Sequence, residues 1–169
     1  MEEIINRVSK SPLVTIDLED FYPKKARTGL DIAPWLFENI ILKEKDFRAY
    51  LEEHNWEQYQ GHFTYVFSSS DAIIPSWAYL LIATKLAPYA SKVHIGTKEG
   101  LENEIYQEIV ADFDTEPLKD KPVIIKGCSK VYIPESAYTA LILKIQPHVK
   151  SLMFGEACST VPLYKRKKS

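Results

Sequence analysis

"IPSWAYLLIATKLAP" spans Ile74–Pro88 and "IPESAYTALILKIQP" spans Ile133–Pro147, and at an offset of 59 residues six of their fifteen positions are identical. Each stretch predicts a helix. It opens on Pro75 or Pro134, where a missing N–H costs nothing, and it closes at Pro88 or Pro147. An apolar run precedes each helix (Phe63–Phe67 and Val123–Ile125), and another follows it (Lys92–Ile95 and Val149–Phe154), which is the composition of buried strands. Extended outward, the offset lays Phe63–Gly96 on Pro122–Gly155 and brings Ser70 onto Ser129 and Gly96 onto Gly155. The chain reads as a β-α-β unit written twice. Convergence of two unrelated β-α-β units on the same proline punctuation is the alternative explanation of the match.

Between the copies, Leu101, Ile105 and Ile109 mark one face of a helix over 98–111. The resulting order, β-α-β-α-β-α-β with short connections, predicts an α/β fold of three layers. Its core is a mainly parallel four-stranded sheet, and the common strand order 2-1-3-4, counted from Phe63, is the expected one. Residues 1–61 read as an N-terminal α+β extension packed on a 62–169 core, all within one domain spanning 1–169. In that extension Val14, Ile16 and Leu18 alternate as in a short strand, Phe21 to Thr28 reads as a loop, and 43–55 as an amphipathic helix. "STVPLYK" (Ser159–Lys165) suits an edge strand, the position where Pro162 is tolerated.

A length of 169 residues is enough for one sizeable core. The net charge of −2 provides no global field to recruit nucleic acid or anionic lipid. The basic run Lys165-Arg166-Lys167-Lys168 reads as a solvated end, with a nucleic-acid or lipid contact as its functional alternative. No apolar stretch reaches the roughly 18 residues of a membrane span, and MEEIINRVSK lacks the order of a signal peptide. A cytoplasmic location follows, in which Cys128 and Cys158 are expected as reduced thiols.

Ligands of open α/β sheets bind beyond the carboxyl ends of the strands. Here those ends carry Ser68-Ser69-Ser70-Asp71, Gly127-Cys128-Ser129 and Gly155 to Ser159. Three site readings follow. Cys128, Cys158 and Asp71 form a candidate set of metal ligands, suited to zinc or iron. Cys128 is also the candidate nucleophile, with Lys126 and Lys130 beside it to favour the thiolate. Ser69, Ser70 and Ser129, with the turn N–H groups, are candidates for holding an anionic cofactor group.

Each reading has a structural rival. Free cysteines commonly pack as small buried hydrophobes, and Asp71 suits a helix cap ahead of Pro75. CxxC, HExxH, GxGxxG and GxxxxGK[ST] are all absent. His62 and His148 begin strands, at the edge opposite the cysteines, so only His94 is available to pair with a thiol, and it reads as packed. His54 lies on the apolar stripe of its helix, and the matched Tyr79 and Tyr138 read as packing residues. Trp35, Trp56 and Trp77 read as core or interface anchors.

The strings "DIAPWLFENIILKEKDFR" (31–48), "SSSDAIIPSWAYLLIATKL" (68–86), "VIIKGC" (123–128) and "LMFGEACSTVPLYKR" (152–166) resemble the uncharacterised bacterial domain-of-unknown-function family numbered 2480. The resemblance covers nearly the whole chain and implies no catalytic role. The resemblance implies a gene encoded near iron–sulfur cluster assembly genes in Bacteroidetes-like bacteria. The resemblance therefore implies an accessory role in cluster or metal handling, with iron–sulfur assembly proteins as partners. Two further functions stay open. One is a small cysteine-dependent enzyme. The other is a non-catalytic homo-oligomeric module, most simply a dimer, because Trp77 to Ala83 is apolar on every helical face.

Overall fold

The apolar runs flanking each repeated helix become paired strands, in two sheets. The computed structural model describes residues 12–156 and 158–167. The MEEIINRVSK stretch, Ala157 and Lys168 lie outside the described residues. In chain order the elements are β1 (Val14–Ile16), β2 (Arg27–Asp31), α1 (Glu44–Glu53), β3 (Phe63–Phe67), α2 (Ser76–Leu86), β4 (Lys92–Ile95), α3 (Lys98–Ala111), β5 (Pro122–Ile125), α4 (Glu135–Ile145), β6 (Ser151–Glu156) and β7 (Ser159–Lys165). Four strands form a sheet of order β1-β5-β6-β7, and three form a sheet of order β2-β3-β4. Every pairing is parallel except β6 with β7. The protein is a mixed α/β fold.

The chain divides into two units. A split unit comprises Met1–Tyr22 and Ile105–Ser169, and a continuous unit comprises Pro23–Glu104, so the division falls within α3. Each has its own core. In the continuous unit Leu30, Val66, Phe47 and Leu51 pack with Ala78, Ile82 and Leu86 of α2. In the split unit Ile16, Val123, Ile125 and Leu152 pack with Ala137, Leu141 and Ile145 of α4. The helix contacts recur every four residues, which places them on one face.

The repeat holds in the backbone. α2 and α4 begin and end at the same offset, and their N-caps Pro75 (φ −63°, ψ 141°) and Pro134 (φ −63°, ψ 144°) share a conformation. Ser91 N–H donates to the His62 carbonyl at 2.8 Å, and Lys150 N–H to the Lys121 carbonyl at 2.9 Å. The correspondence continues upstream of Phe63. Gly61 and Asp120 donate to the Tyr89 and His148 carbonyls, both at 2.9 Å. Both take positive φ, 74° and 58°, a conformation that aspartate tolerates better than most side chains.

The single sheet of order 2-1-3-4 is not formed. Phe63–Phe67 and Pro122–Ile125 each take a parallel partner from the N-terminal segment instead, β2 for the former and β1 for the latter. A mainly parallel four-stranded sheet is present, but β1 and β7 stand in it where β3 and β4 were expected. The first 61 residues supply one strand to each sheet.

β2 escaped the sequence reading because Arg27, Gly29 and Asp31 break the apolar alternation. Its backbone pairs regardless, and each polar position is locally compensated. Arg27 Nε and Nη2 donate to Glu102 at 2.7 and 3.1 Å, with both side chains nearly solvent-free. A Cβ at Gly29 would lie 2.7 Å from the Tyr65 ring. At the far edge of the larger sheet, β7 carries Pro162 opposite Met153, beside a register shift at Leu152/Met153, as an edge strand permits. Among the described residues no helix is long and apolar enough to cross a membrane.

Candidate functional site: the thiol-bearing edge of the four-stranded sheet

The carboxyl ends of β1, β5 and β6 gather the polar residues of the split unit. Asp17 follows β1, and its Oδ1 accepts from Glu19 N–H at 2.9 Å at the start of a 3-10 turn, Leu18–Phe21. Lys126 follows β5, and its backbone N–H donates to the Ile16 carbonyl at 2.9 Å. Its Nζ donates to Asp17 Oδ2 at 2.8 Å. Beyond it, Lys130 N–H donates to Glu19 Oε2 at 2.8 Å, and Ser129 Oγ donates to the Val131 carbonyl at 2.8 Å. Gly127 is a close approach, since a Cβ there would lie 2.8 Å from the Phe154 ring. Cys128 arches out between these anchors and is exposed. Cys158, in the turn from β6 to β7, is exposed too, and both thiols are free.

Charge at this edge is mutually arranged. The hydrogen bond and charge of Asp17 raise the Lys126 ammonium above the ordinary lysine range, and Glu156 and Glu19 add to the effect. Tyr138 of α4 packs edge-on against Phe154 with ring centroids 5.6 Å apart. Burial raises its hydroxyl first, and the nearby Asp17, Glu135, Cys128 and Glu19 side chains raise it further. Tyr138 therefore stands within the field of both the Cys128 sulfur and the Asp17 carboxylate.

The continuous unit carries the counterpart. Ladder register places Leu30 opposite Val66 and Ile16 opposite Ile125, so Asp31 occupies the place of Asp17. The repeat offset then puts Phe67 at the place of Lys126, Ser69 at Cys128 and Tyr79 at Tyr138. Asp31 Oδ1 accepts from Ala33 N–H and Ser69 N–H, both at 3.0 Å, and Oδ2 accepts from Ser69 Oγ at 2.5 Å. Burial works to raise the Asp31 carboxyl, but the Ser69 hydroxyl and the two N–H groups outweigh it and hold it below its ordinary value. Tyr79 is raised by burial alone. In this copy the loop closes on the aspartate.

The sequence candidates thus fall into two groups. Cys128, Cys158 and Ser129 belong to the edge of the split unit, whereas Asp71, Ser69 and Ser70 belong to the continuous unit. Ser69 is committed to Asp31, and the Ser68 and Ser70 hydroxyls bond each other at 2.9 Å. Asp71 is exposed. Among the described residues no group of three or more His, Cys, Asp and Glu side chains could hold a metal ion. His94 is in the continuous unit, its Nδ1 2.8 Å from Glu104 Oε2. His54 packs edge-on against Trp35 and Trp56 and stacks on Tyr59, as its place on the apolar stripe implied.

Asp17 and Asp31 were missed as site residues. Their signal was present in Ile16-Asp17-Leu18 and Leu30-Asp31-Ile32, one pattern at the end of both first strands. The copies of these strands are only 14 residues apart (Asp17 to Asp31), so the 59-residue offset does not bring them together.

Fold and strand-end geometry together define a mixed α/β protein with a repeated β-α-β unit, one strand end closed on its aspartate and the other bearing an exposed thiol. The profile of the family described as "Protein of unknown function (DUF2480)" matches residues 2–166, and the chain belongs to that family. No curated protein and no solved structure gives a significant match.

Proposed function

We propose that this chain is a cytoplasmic accessory protein whose working groups are the thiols of Cys128 and Cys158, offered to a soft metal ion in metal or iron–sulfur cluster handling. One observation carries the reading: both thiols are free and exposed at the same edge of one sheet. Cysteines kept only for packing are among the most buried of residues. β5 and β6 are parallel neighbours, and neighbouring strands run about 5 Å apart, so the strand ends that carry the two thiols lie side by side.

The described residues do not furnish the closed four-ligand centre of structural zinc. Zinc or iron therefore fits as cargo shared with donors from an iron–sulfur assembly partner, and Asp71 is not needed for it. The test is a zinc titration against a chromophoric chelator, under anaerobic reducing conditions. Wild-type protein is expected to withdraw about one zinc per chain, and Cys128→Ser and Cys158→Ser to withdraw at least tenfold less tightly bound metal, the effect of losing a ligand or its support. Indistinguishable titrations for all three proteins end the metal reading. If they coincide while Cys128 alone is alkylated rapidly, the cysteine-dependent enzyme with Cys128 as nucleophile takes its place.

A second reading, a homodimeric interaction module, is favoured by apolar exposure in the continuous unit. Ile73 is 94% exposed, Ile40 66% and Leu80 64%. Light scattering at micromolar concentration decides this reading: a 19.4 kDa particle excludes it.

A further inference from the structure

We propose that the split unit carries a second site, independent of the thiols, that takes an arginine side chain from a partner protein. The site is a cavity of about 480 Å³ lined by Phe21, Ile109, Asp112, Phe113 and Asp114. Phe21 follows β1 in the 3-10 turn, and the other four residues lie in the last turn of α3 and just beyond it.

Three features select the ligand. The rings of Phe21 and Phe113 meet edge-on, centroids 5.6 Å apart and planes at 67°, so they form two walls of a corner. Phe21 is 43% exposed, which leaves ring surface open to a visitor. An aromatic corner attracts a cation through the ring quadrupoles. The charged lining is entirely acidic: Asp112 and Asp114 are both exposed, and Asp114 spends one oxygen on the Glu116 N–H at 3.0 Å. The C-terminus of α3 is a negative helix end, but it is not what selects the visitor. That end already draws one cation from within the chain, since Lys144 Nζ donates to the Val110 carbonyl at 2.8 Å and to the Ala111 carbonyl. Lys144 satisfies the carbonyls and leaves the carboxylates to the visitor.

A planar guanidinium meets both demands, because it stacks on aromatic faces and pairs with carboxylates. A lysine ammonium gains less from stacking, and an anion is repelled. The volume lies within the range of ordinary ligand pockets and admits the side chain with part of its flanking backbone.

The test uses full-length protein and three fluorescein-labelled peptides of alternating glycine with arginine, lysine or citrulline, read by anisotropy at low and moderate salt. The arginine peptide is expected to bind, to weaken as salt rises, and to exceed the lysine peptide. Citrulline keeps the shape without the charge and is expected not to bind. Asp112→Lys, at an exposed position, should weaken the arginine peptide at least tenfold, and Phe21→Ser about two- to fivefold, the value of an exposed cation–π contact. Circular dichroism confirms that each variant is folded. Equal binding of the arginine and citrulline peptides, or unchanged binding to Asp112→Lys, overturns the proposal. Cys128→Ser should bind the arginine peptide like wild type. Loss of binding in that variant would overturn the independence of the two sites.

Discussion

The two copies of the repeat share a backbone and part company at one loop. In the continuous unit Asp31 is gripped by the backbone and hydroxyl of Ser69. In the split unit the equivalent Asp17 is taken by Lys126 from the end of β5, and the loop is next pinned at Lys130, through Glu19. With the anchors at Lys126 and Lys130 instead of at Ser69, the middle one of the three residues between them, Cys128, stays exposed. One strand end is closed on its aspartate by Ser69, and the other leaves a cysteine exposed beside an aspartate held by Lys126. Hydrogen bonds to an ionised carboxylate are among the stronger ones in proteins, so whichever group claims the aspartate decides the course of the loop.

The comparison breaks most visibly if the copies are not energetically alike in their cores. Ile82 and Leu141 hold the same place on α2 and α4, and both are fully buried. Ile82→Ala and Leu141→Ala are each expected to cost about 2–5 kcal/mol in urea unfolding. A cost below about 1 kcal/mol for either would show that its helix is not packed as its twin is.

A smaller effect sharpens the contrast at the loop. In a chain where Cys128 and Cys158 are replaced by serine, Ser69→Cys places a thiol against Asp31. Its reaction with iodoacetamide should be at least tenfold slower than that of Cys128 in a chain keeping only that cysteine, because a hydrogen bond to a carboxylate disfavours the reactive thiolate. Equal rates, followed by mass spectrometry, would mean that the aspartates do not govern the two loops differently.

The smallest expected effect belongs to the continuous unit alone. Burial among Trp35, Trp56 and Tyr59 holds His54 below the ordinary histidine range. The native state then binds fewer protons than the unfolded chain, so this contribution is full above about 6.5 and is lost as pH falls through the lower folded value. Stability measured by tryptophan fluorescence should decline over that window, and His54→Gln should flatten the decline. An unchanged profile in the variant would assign the decline to other groups.

Much of this architecture was legible because the local code and the tertiary code agree. Proline punctuation placed α2 and α4 to within a residue at each end, and the tolerance of edge strands for proline placed β7. The exposed thiols were legible as positions but not as exposed. A cysteine at a strand end is equally compatible with packing, and only the course of the next few residues decides.

The sequence by itself determined the repeated β-α-β unit, the mixed α/β class and the strand ends where cysteines stand, because helix periodicity, proline geometry and apolar runs act over short stretches of chain. Tertiary structure alone decided that the copies belong to separate sheets, that β2 is a strand, and that Asp17 meets Lys126 while Asp31 meets Ser69. Strand pairing is made by backbone N–H and C=O groups, which every residue but proline carries alike. Side-chain pattern therefore cannot say which of several compatible strands will be the neighbour. Contacts such as Lys126 with Asp17 join residues far apart in the chain, and they exist only once the sheet has brought the strand ends together.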